Sequence, residues 1–274
     1  PNLTWLNLER NQLSELPPSI GKLQNLIHLI LDGNSLSELP PEIGQLQNLT
    51  TLFLNRNQLS QLPPSIGQLQ NLTDLSLTAN RLSELPPEIG QLQNLAGLLV
   101  QKNQLSELPP EIGQLQNLTK FSVSGNSLSK LPPELGQLQS LTHLSLHSNP
   151  LGELPSSIGQ LQNLTELFLI NSQLSELPPE IGQLQNLKKL VLYGNPLSEL
   201  PASFWQLQNL AGLSLAYNEF TQFPKVLLGL NLEVKWDDHF WEEGLHVAAN
   251  PFQTPPREIV KQGKQAIIDY YHDV

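Results

Sequence analysis

The chain contains no cysteine and no methionine, and only 14% of its residues are charged. Without cysteine it can form no disulfide, bind no zinc through thiolates and supply no thiol nucleophile. Many secreted repeat proteins close their ends with disulfides, so a chain without cysteine is more typical of a reducing compartment. We therefore expect a cytoplasmic protein.

Basic side chains are scarce as well. There are 14 lysines and arginines against 25 aspartates and glutamates, which gives a formal net charge of −11. No basic run is present that could follow a phosphate backbone. Nor is there an apolar run long enough to span a membrane, or a charged and then apolar leader. The composition therefore predicts neither nucleic acid nor a membrane as partner.

What the chain has in abundance is one repeated unit of 23 residues. The unit reads approximately L-x-x-L-x-L-x-x-N-x-L-S-E-L-P-P-E-I-G-Q-L-Q-N. Internal repetition at this period is typical of a solenoid, in which each unit forms one coil and stacks on the next. Ten units begin at Leu3, Leu26, Leu49, Leu72, Leu95, Leu118, Leu141, Leu164, Leu187 and Leu210.

Each part of the unit predicts a structure. The alternating leucines predict a short strand with one face inward, and stacked units align these strands in a parallel sheet. The asparagine is expected to bond backbone groups left at the turn, forming a ladder. Pro-Pro ends the strand, and a brief helical turn follows, whose glycine is expected to take a positive φ. We predict an α/β solenoid, a curved right-handed β-α superhelix with the sheet on its concave face and short helical turns on its convex face.

The regular pattern covers residues 1–231, with no covering segment before Leu3, and residues 232–274 form an irregular final unit. The strand motif that begins at Leu213 next occurs at Leu245, whereas a 23-residue period would place it at position 236. Apolar residues from Ile259 to Tyr271 recur at helical spacing, which predicts a C-terminal capping helix. The irregular interval is rich in aromatic and acidic residues: Trp236, Asp237, Asp238, His239, Phe240, Trp241, Glu242 and Glu243.

Two departures from the repeat leave alternatives open. The acidic interval has the composition of a metal site, but its aromatic neighbours favour a segment that covers the core, so we predict no metal and no cofactor. In the ninth unit Phe204 and Trp205 replace Ile-Gly. Trp205 then either packs on a neighbouring coil or stands out as a docking residue.

The repeated unit resembles the leucine-rich-repeat family over essentially the whole chain. It is most similar to the 23-residue class that carries L-P-x-x-I-G, seen here as L-P-P-E-I-G at Leu39 to Gly44. That class is found in bacterial repeat proteins and in intracellular Ras-associated proteins of plants and animals. The resemblance implies a module that binds other proteins.

The tail resembles a second pattern. The sequence N-P-F-Q-T-P-P-R-E-I-V-K-Q-G-K-Q-A-I-I-D-Y-Y, Asn250 to Tyr271, is similar to the junction that leads toward a Ras-like GTPase domain in bacterial Roco proteins. This resemblance implies the regulatory, partner-binding arm of a larger GTP-dependent switch. No G-x-x-x-x-G-K-[ST] motif is present, so a GTPase domain would lie beyond Val274.

The outward strand positions are not required by the fold and vary between units, as expected of a binding surface on a fixed scaffold. Exposed apolar and aromatic side chains are typical of interface anchors, although strand packing alone also favours them. We predict that a protein or peptide binds the concave face. The predicted residues are Trp5, Ile30, Phe53, Leu99 and Arg56 toward the N-terminus, and Phe168, Ile170, Val191, Tyr193 and Tyr217 toward the C-terminus, with His143 and His147.

We predict no catalytic residue. The outward serines have His143 and His147 near only one of them, Ser145, and no clear acidic residue to orient an imidazole. The leading hypothesis is a non-catalytic recognition arm of a cytoplasmic bacterial signalling protein. The alternative is a secreted or surface-exposed adhesin or effector. We expect this fragment to be monomeric and to oligomerise only through further domains.

Overall fold

The computed structural model describes residues 2–239 and 241–273. They form two compact units, Pro1–His143 and Leu144–Val274. In each unit the chain winds into stacked coils, most of which contain one short strand and one 3-10 turn. The strands pair in parallel and the turns lie on the opposite wall, so the predicted solenoid is confirmed.

In the first unit the leucines of each strand alternate with outward residues and point into the core. Leu29 pairs with Leu52 in the next coil, and both are fully buried. Burial of such leucines on both sides of every coil is what holds the stack together. The strands, which pair in sequence order, are β1 (Trp5–Asn7), β2 (His28–Ile30), β3 (Thr51–Phe53), β4 (Asp74–Ser76), β5 (Gly97–Leu99) and β6 (Lys120–Ser122).

In the second unit the last two strands do not follow sequence order. Strand β12 (Gly244–His246) lies between β10 (Gly212–Ser214) and β11 (Val234–Lys235), and Leu245 pairs with Leu213, as the spacing of the strand motifs predicts. The two-residue strand β11 is not predicted by the repeat. The strand β7 (His143–Ser145) spans the sequence boundary between the units, and the others are β8 (Glu166–Phe168), β9 (Lys189–Val191), β10 (Gly212–Ser214), β11 (Val234–Lys235) and β12 (Gly244–His246).

Each regular coil returns through a five-residue 3-10 turn that directly follows a proline. Proline fixes φ there, and a second proline usually opens the turn, where no intrahelical acceptor exists for an N–H. The predicted short helical turns are therefore confirmed. They are Pro18–Lys22, Pro41–Gln45, Pro64–Gln68, Pro87–Gln91, Pro110–Gln114, Pro133–Gln137, Ser156–Gln160, Pro179–Gln183, Ala202–Gln206 and Lys225–Gly229.

The prediction that the turn glycine takes a positive φ is wrong. Positive φ values occur instead just after the strands, as at Arg56 (54°) and Lys102 (53°). The turn glycine is required because successive coils approach closely. A Cβ atom on Gly67 would lie only 2.5 Å from the carbonyl oxygen of Glu88 in the next coil. The missing side chain thus sets the spacing of the turn wall.

The predicted asparagine ladder is confirmed, and Asn103 shows its geometry. The backbone N–H of Leu82 donates to its Oδ1 at 3.0 Å. Its Nδ2 donates to the carbonyl oxygens of Leu77 and Val100, both at 3.0 Å. Because two of these three groups belong to the preceding coil, each asparagine joins its own turn to its neighbour.

The predicted C-terminal cap is present as two helices, α1 (Arg257–Val260) and α2 (Lys264–Asp273), which are separated at Gly263, where φ is 93°. Val260 and Ile267 are buried against the last coil. None of the helices in the described part of the chain has the length and apolar composition that a membrane span requires.

Trp205 is exposed on the turn wall rather than buried against a neighbouring coil. Phe204 fills the place that isoleucine takes in most other coils and is fully buried, and the 3-10 turn is retained. Trp205 itself is 55% exposed on the turn wall. Of the two alternatives for this residue, the exposed one is observed.

Candidate protein-binding surface

The sheet face consists of the side chains, on the strands and directly after them, that point away from the leucine core. In β8, Leu167 points into the core and is fully buried, whereas Phe168 points the other way and is half-buried. Because the strands pair in register, outward side chains of successive coils form columns across the sheet. These positions can change without disturbing the leucines beneath them.

The residues predicted to bind a partner differ in exposure. Ile30 and Val191 are only 9% and 1% exposed, so the prediction that these two are accessible is wrong. Another group is half-buried: Phe53, His143, His147, Phe168, Ile170 and Tyr193. The exposed residues are Arg56, Trp5, Leu99 and Tyr217.

Side chains on adjacent strands account for part of this burial. Ile30 lies between Asn7 and Phe53 in the same outward column. Adjacent parallel strands are about 4.8 Å apart, so neighbouring side chains in a column touch. Val191 lies beside Phe168 in the same way, and the strand that carries it also has a cover from later in the chain, since Lys189 Nζ donates to the Trp241 carbonyl oxygen.

That cover is segment 236–243, which connects β11 to β12. Between two adjacent parallel strands, the chain must return from the end of the first strand to the start of the second. The regular coils return through the turn wall, whereas this segment passes over the sheet face. The carbonyl oxygen of Glu242 lies 3.1 Å from where a Cβ atom on Gly212 would be. Phe240, which we predicted to take part in this cover, lies outside the described residues.

The tryptophans of segment 236–243 pack in different places. Trp236 remains near the C-terminal cap, with its ring centroid 6.3 Å from that of Phe252, in agreement with the predicted covering role. Trp241 instead reaches back to β8, where its ring lies 5.6 Å from that of Phe168. Lys189 Nζ donates to the Trp241 carbonyl oxygen at 2.7 Å and lies 5.2 Å from its ring centroid.

A buried histidine holds segment 236–243 in place. His246 on β12 is fully buried, with its Nδ1 hydrogen-bonded to the carboxylate of Asp237 and its Nε2 3.3 Å from the carbonyl oxygen of Glu242. Burial alone would raise the pKa of Asp237. The hydrogen bonds from His246 and from the backbone N–H of His239, with the charges of both imidazoles, outweigh burial and lower that pKa.

Replacing Asp237 with asparagine should therefore loosen segment 236–243. We expect its backbone amides to exchange with deuterium roughly tenfold faster at neutral pH, since a charge-assisted hydrogen bond is lost. Because folding lowers the pKa of Asp237, its stabilising contribution is present at neutral pH and disappears as the pH falls through that lowered value. The wild-type segment should then resemble the variant in strong acid, after correction for intrinsic exchange. Asp238→Asn is the matched control, and equal exchange in both variants would contradict this role.

Four aromatic residues form what we call the aromatic patch: Phe168, Tyr193, Tyr217 and Trp241. The rings of Tyr193 and Tyr217 lie 4.8 Å apart, with their planes tilted by 41°. Tyr217 is 49% exposed and Trp241 63% exposed. Burial, followed by the nearby Tyr217 and Asp238, raises the pKa of the Tyr193 hydroxyl above its ordinary value. Such rings, apolar with a polar end, are typical of interfaces.

His143 and Ser76 on the sheet face are held by local hydrogen bonds, whereas the buried hydroxyl of Ser214 has no hydrogen-bond partner among the described residues. The hydroxyl of Thr142 lies 2.7 Å from His143 Nδ1. The hydroxyl of Ser76 donates to Asn55 Oδ1 at 2.6 Å. The residues that the structure describes contain no group of three histidine, aspartate or glutamate side chains able to hold a metal ion.

Family models match most of the chain. A model described as leucine-rich repeat region matches residues 1–81. Two more, both described as leucine rich repeat, match residues 71–92 and residues 91–151 and 162–220. No curated protein sequence matches the chain.

Solved structures show the same likeness. A leucine-rich-repeat protein of Leptospira interrogans is 41% identical, with 90% of this chain and 67% of that chain covered and a TM-score of 0.71. The repeat domain of the type III effector XopL is 33% identical over 76% of this chain and 74% of that one, with a TM-score of 0.68. The Arabidopsis receptor kinase HAESA, solved with a peptide hormone and a co-receptor, is 32% identical over 91% of this chain but only 42% of its own, with a TM-score of 0.71.

Proposed function

Because the chain belongs to the leucine-rich-repeat family, we propose that it is a non-catalytic interaction module that binds a protein or peptide at the aromatic patch. One observation carries this proposal: Trp241, although 63% exposed, is held on the sheet face against Phe168 and Lys189. An exposed tryptophan is of little use to the core and is enriched at the centres of interfaces.

The patch is already ordered before any partner arrives. Lys189 contacts both the carbonyl oxygen and the ring of Trp241, and the Asp237–His246 hydrogen bond holds the same segment at its other end. Binding therefore requires little additional ordering of these side chains, which favours affinity. The family likeness supports a protein or peptide partner, since HAESA is solved with a peptide hormone bound.

A peptide selected by phage display on the immobilised protein tests this site. We expect Phe168→Ala and Tyr193→Ala each to weaken binding of this peptide by roughly tenfold or more, as at interface anchors. Both variants should remain folded, as a thermal unfolding midpoint well above the assay temperature would show. The matched control is Trp205→Ala, which removes an exposed tryptophan from the turn wall. Loss of binding in the Trp205 variant with none in the other two would move the site to that wall.

We further propose that the module is the recognition arm of a larger cytoplasmic bacterial signalling protein of the Roco kind. The tail from Asn250 to Tyr271 and the absence of cysteine support this context. The alternative, an exported effector or adhesin, is supported by the likeness to the XopL domain. The complete reading frame decides between them: a downstream P-loop favours the first and an upstream secretion signal the second. We propose that the fragment itself is monomeric, which sedimentation tests.

A further inference from the structure

A second surface, in the first unit, carries a row of cations although the chain as a whole is acidic. The third residue after each strand has a positive φ in every coil from the first to the sixth. Cationic and small residues alternate at this position. We call the cations the cation row: Arg10, Arg56 and Lys102, with φ of 55°, 54° and 53°, while the residues between them are Gly33, Ala79 and Gly125, with φ of 67°, 59° and 66°.

The fold does not require the cations at these places. A positive φ strains any residue that has a Cβ atom and suits glycine best. Gly33 and Gly125 show that glycine occupies the same position in other coils. Arginine at position 56 and lysine at position 102 therefore make the backbone less stable than glycine would. Cationic side chains at positions that favour glycine suggest that these side chains have a role in binding.

The small residues give the cation row room to extend. A Cβ atom on Gly33 would lie 3.3 Å from Arg10 Cγ, and one on Gly125 would lie 3.6 Å from Lys102 Cγ. Each of these cationic side chains thus lies across the glycine of the next coil. Arg56 is followed in the same way by Ala79, whose side chain is a single methyl group.

A shallow groove of about 450 Å³ runs beside the row and is lined by Arg10, Arg56 and Leu99. Its floor is a polar ladder in which Asp32 accepts hydrogen bonds from the backbone N–H and Nδ2 of Asn55, at 2.7 and 3.1 Å. Leu99 is 36% exposed, so the groove also offers an apolar contact.

The carboxylates of the groove leave two cations unpaired. Glu9 forms an ion pair with Arg10 at 3.1 Å, and Asp32 is engaged by Asn55. Among the residues that the structure describes, neither Arg56 nor Lys102 has an ion pair or a side-chain hydrogen bond. Both are exposed to solvent. Two free cations beside an apolar side chain are complementary to an acidic ligand.

We propose that Arg56 and Lys102 bind two carboxylates of an extended acidic peptide that runs across the strands, with Leu99 contacting an apolar part of it. The two cations are two coils apart, or about 9.6 Å at about 4.8 Å per strand. A polyproline II helix repeats every three residues, over about 9.3 Å. The row therefore fits acidic residues spaced three apart in that conformation. This site deepens the proposed function by giving the partner's chemistry, but it lies apart from the aromatic patch.

A fluorescent peptide of about four Glu-Pro-Pro repeats is the probe, and fluorescence anisotropy is the measurement. We expect saturable, salt-sensitive binding that is weakened roughly fivefold by Arg56→Gln or Lys102→Gln and more by both together. The Gln-Pro-Pro peptide should bind much more weakly, and so should a Glu-Pro repeat with acids two residues apart. Arg56→Gly is the sharper variant, because it should weaken binding while raising the unfolding midpoint through relief of the positive φ.

Arg81→Gln is the matched control, since Arg81 is an exposed cation outside the row. An equal loss in this control would overturn the proposal in favour of general charge attraction, and absence of probe binding would overturn it outright. Tighter binding of dextran sulfate with the same dependence on Arg56 would reassign the row to an anionic polysaccharide. Phe168→Ala should leave Glu-Pro-Pro binding unchanged, so failure here is distinguishable from failure at the aromatic patch.

Discussion

Replacing Asn103 with alanine should lower the free energy of unfolding by about 3 kcal/mol. The change removes the Oδ1 acceptor of the Leu82 N–H and the Nδ2 donor to the carbonyl oxygens of Leu77 and Val100. Each carbonyl keeps one bond from a neighbouring asparagine of the ladder. The Leu82 N–H keeps none and is buried, so it bears most of the cost.

Asn94→Ala is the control for this result, because it removes an asparagine from the repeat just before that of Asn103. Asn94 Nδ2 donates to the carbonyl oxygen of Gln70 at 2.8 Å, but this bond is exposed and water can replace it. We expect a loss within about 0.5 kcal/mol. Urea unfolding followed by circular dichroism measures both variants. Similar losses in the two would mean that the ladder contributes no more than a surface hydrogen bond.

The second large effect is expected at a turn glycine. In Gly67→Ala, the new methyl carbon would lie 2.5 Å from the carbonyl oxygen of Glu88 and 2.9 Å from its Cβ atom. A backbone oxygen cannot move aside as a flexible side chain can, so the two coils must separate locally. We expect a loss of about 2–3 kcal/mol, as in other overpacked interiors, measured by the same urea titration.

Gly229→Ala provides the comparison for Gly67. Gly229 also lies in a 3-10 turn, but a Cβ atom there would have no atom within 4 Å. We expect this variant to remain within about 0.5 kcal/mol of the wild type. If both alanine variants were equally destabilised, the close approach of the next coil would not be what requires glycine at position 67.

The repeat was sufficient to predict local structure, because the residue types that form each strand, ladder position and turn recur in every coil. Alternating leucines such as Leu29 give the strand and its inward face, and Asn103 gives the ladder. The turn glycine was correctly located but wrongly explained. Glycine is favoured both by a positive φ and by a missing Cβ atom, and one coil read alone does not separate the two. The atom that excludes a side chain from Gly67 belongs to the next coil.

The exposure of the sheet face was less predictable. The alternation of residues along the strand predicts that Val191 points outward, away from the leucine core, and the structure agrees. The alternation does not show what lies above the strand, and the segment that contacts Lys189 on this strand comes more than forty residues later. The two-residue strand β11 was missed because so short a strand has no period of its own. Its position on the far side of β12 is what sends the connecting segment over the sheet face.

Repeat arrays can usually gain or lose whole units during evolution, because each coil contacts only its neighbours. Segment 236–243 removes that freedom from part of this chain. It contacts Gly212 on β10, Lys189 on β9 and Phe168 on β8. Adding or deleting one coil between Glu166 and Gly244 would place a different strand beneath Trp241. The contacts of Trp241 with Phe168 and Lys189 therefore constrain the number of coils in that stretch.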